Sequence, residues 1–76
     1  MEVENRYYYK VLHSGGLVVR ISPNFSSDQT GEIVQFDSIV TGKQIVQVDQ
    51  DKFVQLLHDG WIVAEKGSLK ALEEVH

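Results

Sequence analysis

A chain of 76 residues and 8.6 kDa has room for one hydrophobic core and no second. Its 42% hydrophobic and 24% charged residues fit a small soluble domain; they exclude a disordered polymer, and no window approaches the ~18 apolar residues of a membrane span. Seven basic against eleven acidic residues give a net charge of −4, which disfavours nucleic acid as a partner because the basic residues do not cluster in sequence. Zero cysteines exclude disulfides, thiolate zinc sites and cysteine nucleophiles.

Residues 1–6 alternate charge with one apolar Val3 and are expected to form a flexible N-terminal tail, with a single domain over 7–76. From Tyr7 onward, β-branched and aromatic residues recur in short runs broken by turn formers. Tyr7 to Leu12 predicts a strand and His13-Ser14-Gly15-Gly16 a turn. Leu17 to Ile21 is a second extended run, ended at Pro23, which lacks a ladder donor. A polar loop over Asn24 to Thr30 follows. Gly31 to Phe36 and Ser38 to Thr41 are extended on either side of Asp37, and Gln44 to Val48 is the next strand. Asp49 to Lys52 turns the chain into Phe53 to Leu57, and His58-Asp59-Gly60 turns it again into Trp61 to Ala64. In Ser68 to Val75 the spacing of Leu69, Leu72 and Glu73 suits a helical face, whereas closing a barrel needs a strand; a strand or short turn is expected. Turns every ten or so residues are the pattern of a small all-β sandwich or barrel.

The segment Gly16-Leu17-Val18-Val19-Arg20-Ile21-Ser22-Pro23 resembles the bacterial-type SH3 domain family, whose members carry Gly-Leu-x-Val-Arg-x-x-Pro and then a Ser-rich loop. Gly31-Glu32-Ile33 is similar to the family's Gly-x-Leu/Ile, Phe53-Val54-Gln55-Leu56 to its Trp-x-Lys-Val, and Gly60-Trp61-Ile62 to its Gly-Trp-Val. The likeness covers most of residues 8 to 63. The resemblance implies a small SH3-like barrel of five or six short strands, with Leu17, Val19, Ile33, Ile39, Val46, Val54, Leu56 and Ile62 pointing inward. Alternation independently places Leu17 with Val19, and Val54 with Leu56, on one face. The chain departs from the family at Phe36-Asp37, where members carry a turn glycine, so either Asp37 is left-handed or the turn is one residue longer. It also has Phe53 for the tryptophan and Gln55 for the lysine of the Trp-x-Lys-Val motif.

Catalytic and metal-binding patterns are sparse. His13, His58 and His76 are far apart in sequence and fall outside ligand spacing; His13 and His58 are expected in exposed turns, and no metal or cofactor is assigned. Asp49 and Asp51 lack the remaining ligands and glycine of a calcium loop. No serine sits in Gly-x-Ser-x-Gly, and Gly15-Gly16 lacks the lysine and helix start of a phosphate loop. Asn24-Phe25-Ser26 matches a glycosylation acceptor, relevant only to a protein secreted by a eukaryotic cell.

The aromatics exceed what so small a core needs. If Val54 and Leu56 face inward, Phe53 faces outward, where it is either an exposed contact or covered by the Asn24 to Thr30 loop. Exposed aromatics anchor binding hot spots. Phe53 is therefore the first candidate for partner binding, followed by Tyr7, Tyr9 and Trp61; Trp61 is expected to be half-buried with its indole N–H bonded to backbone. The expected function is a non-catalytic interaction module for a protein or peptide, monomeric in isolation and an accessory domain of a larger protein. Two alternatives stay open: binding to cell-wall peptidoglycan, which the resemblance makes available, and a structural spacer without a ligand. No membrane or nucleic-acid partner is expected, and with no signal-peptide pattern the localisation inclines to the cytoplasm without being assigned.

Overall fold

The computed structural model describes residues 6–75, which contain eight strands and no helix. The tail expected over 1–6 therefore lies, apart from exposed Arg6, outside the described residues. The strands are β1 (Tyr7–Val11), β2 (Leu17–Arg20), β3 (Gln29–Val34), β4 (Ile39–Val48), β5 (Asp51–Leu56), β6 (Trp61–Lys66), β7 (Leu69–Lys70) and β8 (Leu72–Val75). They form one antiparallel sheet in the order β3-β2-β6-β5-β4-β1-β8, with β7 paired to β6. The sheet is not closed, because β3 and β8 end the order unpaired with each other. Backbone bonds at Ala71 nevertheless link two distant strands: its N–H donates to Ala64 O of β6 at 2.8 Å, and its carbonyl accepts from Leu12 N, just after β1, at 2.9 Å.

The core lies on one face of the sheet. Tyr9, Val11, Leu17, Val19, Val54, Leu56, Ile62, Ala64, Ala71 and Leu72 pack there as one cluster. Period-two alternation produces it directly: Tyr9/Val11, Leu17/Val19, Val54/Leu56 and Ile62/Ala64 are pairs two apart on their strands. The closeness of β4 to β5 requires a glycine, because a Cβ at Gly42 would collide with Val54 Cγ1. At the β1–β2 turn, Gly16 has φ +78° and a Cβ there would stand 2.5 Å from Val34 O, so both backbone conformation and space demand glycine.

Three residues expected inside are not. Ile33 is 56% exposed; it pairs with Val18, whose neighbours Leu17 and Val19 take the inward positions. Ile39 is 53% exposed, because it stands opposite Lys10, between inward Tyr9 and Val11. Val46 is only half-buried. A register shift between Gly42 and Gln44 reverses the parity of β4, so Ile45 pairs with inward Val54 while Val46 pairs with Phe53 on the opposite face. The same shift makes one ten-residue strand of two expected runs. Asp37 has φ +68°, resolving the Phe36-Asp37 turn as a left-handed aspartate.

Candidate functional site

The four aromatics proposed from the sequence do not form one patch. Phe53 and Trp61 lie on the sheet face opposite the core cluster; Tyr7 and Tyr9 lie on the core side of β1. Phe53 is only 1% exposed, which corrects its assignment as a surface contact. Its side chain leaves the core face as alternation requires, but the ring is covered by Phe25, with centroids 5.1 Å apart and planes tilted by 59°. Phe25 belongs to the loop between β2 and β3, and Arg20 anchors that loop by donating from Nη1 to Phe25 O at 3.0 Å and Ser27 O at 3.2 Å. Ser22 N donates to Ser27 Oγ at 2.9 Å and Ile21 N to Asp28 O at 3.0 Å. The polar loop is thus a hydrogen-bonded cap over Phe53, which was one of the two outcomes open from the sequence.

Trp61 is half-buried as expected. It sits in a cross-strand row, opposite Arg20 of β2 and Gln55 of β5, and Gln55 in turn accepts a side-chain hydrogen bond from Gln44 at 2.5 Å. The expected indole bond to backbone is not formed to any described residue. The nitrogen instead keeps access to solvent, since no buried side-chain N or O atom lacks a partner.

Tyr7 and Tyr9 share a face of β1 and converge on a cleft of about 300 Å³. Ala64, Leu72 and Ile45 supply its apolar lining, and Lys70, Glu65 and Glu74 bring charge to it. Tyr7 is exposed, whereas Tyr9 is 7% exposed and reaches the cleft from the core. Burial pushes the Tyr9 phenol above its ordinary pKa of 10.0, and the Glu74 charge and Tyr7 push it the same way. Tyr9 is therefore a neutral hydroxyl at neutral pH, able to donate one hydrogen bond into the cleft. The parity reversal in β4 brings Ile45 here. That residue, like Lys70 and Glu74, was not singled out from sequence; a bulge and a late two-residue strand carry no sequence period strong enough to reveal it.

The titratable groups elsewhere lie on turns and strands as at most pairs. His13 accepts a hydrogen bond from Gly15 N at its Nδ1, 3.2 Å away, and His58 faces Glu32 at 3.5 Å. Asp51 accepts from Gly67 N at 3.1 Å. Among the described residues no group of three or more His, Cys, Asp or Glu side chains converges as a metal site. The cleft brings together an apolar recess, two phenols and charges of both signs. Comparison of the chain with protein-family models, with curated proteins and with solved structures finds no match.

Proposed function

We propose that this domain is a non-catalytic interaction module that binds a protein or peptide as an accessory part of a larger chain. We further propose that its sheet is a variant of the SH3-like barrel. The barrel reading is supported by the two backbone bonds at Ala71, which tie β6 to the end of β1, and by the inward packing of Leu17, Val19, Leu56 and Ile62 from the motifs that resemble the family.

The observation that carries the functional reading is the Tyr7–Tyr9 cleft. It is an open recess at the lower end of ligand-site volumes, with an exposed phenol beside a buried one. Tyrosine suits such a role because it offers large contact area and a polar tip at low cost in side-chain entropy. Selection of a displayed random-peptide library on the immobilised domain tests it. The expected result is enrichment of a related set of peptides whose binding weakens about tenfold or more in Tyr7→Ala. Absence of enrichment over bare resin contradicts the reading.

A further inference from the structure

A second cavity, of about 370 Å³, shares Lys70 with the tyrosine cleft and is otherwise separate. Buried Leu17 and half-buried Val63 form its base, Phe25 and Leu69 its exposed apolar sides, and Lys66 and Lys70 its charged rim. Leu69 is 72% exposed, the most exposed large hydrophobic among the described residues, and it stands beside exposed Phe25 on this cavity, so the two form a local apolar patch.

The lysines decide what kind of partner fits. Of the chain's five lysines, Lys10, Lys43 and Lys52 stand 2.9, 3.1 and 3.9 Å from the carboxylates of Asp37, Asp59 and Glu65. Lys66 and Lys70 stand across the strands from Asp51 and Glu65 but, among the described residues, close no ion pair with either, in a chain with eleven acidic residues. Both border this one cavity. Lys66 Nζ lies 5.0 Å from the centre of the Phe25 ring, and the ring itself is held in place by Phe53 beneath it and by Arg20 on its backbone. The wall is thus built before any partner arrives, which lowers the ordering cost of binding.

Resting on the reading that the domain binds peptides, we infer that this cavity takes an acidic peptide segment carrying one bulky apolar side chain. The apolar side chain fills the space between Phe25 and Leu69, and carboxylates flanking it meet Lys66 and Lys70. The net charge of −4 opposes the long-range approach of such a segment, so its selectivity rests on the local contacts with Lys66 and Lys70, which weaken with salt. A lipid surface is the poorer fit, because two lysines on an acidic domain make a small basic face.

The test titrates the ¹⁵N-labelled domain with the peptide acetyl-Glu-Glu-Phe-Glu-Glu-amide and with its lysine counterpart, acetyl-Lys-Lys-Phe-Lys-Lys-amide. Amide shifts locate binding and fluorescence anisotropy measures its strength. The acidic peptide is expected to bind about tenfold tighter and to move the signals of Phe25, Lys66, Leu69 and Lys70. Lys66→Glu and Leu69→Ser alter exposed side chains outside the tyrosine cleft, and each is expected to weaken binding at least about fivefold. Equal binding of the two peptides, indifference to both variants, or shifts confined to Tyr7 and Tyr9 overturns the assignment of this cavity. So does failure of both peptides to bind, and so does co-sedimentation with phosphatidylserine-containing vesicles in place of peptide binding. Peptides recovered from the random library would, in any of these cases, leave the interaction reading standing; an empty selection would end both.

Discussion

Phe53→Ala removes a buried ring and leaves Phe25 stacked on nothing, so its effect belongs to stability before binding. Phe→Ala in a core costs roughly 3–5 kcal/mol, which matches the roughly 3–5 kcal/mol that a core of this size supplies. Loss of the folded circular dichroism spectrum at 25 °C is the expected result; a folded variant would mean that the cap re-forms without the ring. Gly42→Ala places a methyl group against Val54 Cγ1 and is expected to destabilise by about 1–3 kcal/mol, read as a lower midpoint in urea. At Tyr9 the prediction concerns pH. Its folded-state pKa is raised, by burial first and then by Glu74 and Tyr7, so its contribution is fully present below the unfolded phenol value near 10 and is lost as pH rises through the higher folded value. Stability should fall as the solution is taken above about pH 10, and Tyr9→Phe should fall less steeply, a comparison that thermal melts across pH 8 to 11.5 provide. The Lys10 ammonium is also raised, chiefly by its hydrogen bond to Asp37. That pair is solvent-exposed and is expected to add little stability.

At the scale of elements, residues 71–75 are structural. β8 pairs with β1, Leu72 and Ala71 enter the core, and Ala71 bridges β6 to Leu12. A chain ending at Lys70 loses all three contributions and is expected to give the narrow amide dispersion of an unfolded protein; wide dispersion would show that β1 to β6 suffice. The strand over 68–75 was only partly legible, because the leucine spacing there suits a helix as well as a strand. The kink at Ala71 splits it into β7 and β8. Strands β1, β2, β5 and β6 were legible because alternation and turn residues agree in them, as at Leu17/Val19 bounded by Gly16 and Pro23. The inward set failed at Ile33, Ile39 and Val46 for one physical reason: register fixes which face a residue takes, and a bulge or an edge position changes register without changing composition. Edge protection is visible at both ends of the sheet. β3 carries Glu32 beside Gly31 at φ +97°, and β8 carries Glu73 and Glu74, charges and kinks that discourage strand addition.

For the whole molecule, the radius of gyration of 11.7 Å is close to the roughly 11 Å expected of a compact chain this long. The all-β class was within reach of the sequence through its turn spacing and alternation, the barrel was not, since the sheet does not close, and the site was reached only in part. Tyr7 and Tyr9 do meet in a cleft, whereas Phe53 is roofed by Phe25, a contact between a loop and a strand nearly thirty residues apart that no local pattern encodes. The tyrosine cleft and the Phe25–Leu69 cavity meet at Lys70 of β7, and this is the surface that the proposed function assigns to a partner. The most direct measurement of the claim that this is an interaction surface is amide shift mapping of the ¹⁵N-labelled domain with the most enriched library peptide. The account predicts shifts concentrated on Tyr7, Tyr9, Leu69, Lys70 and Glu74; shifts concentrated instead on the β3 edge, or a library that yields no binding peptide to map, would contradict it.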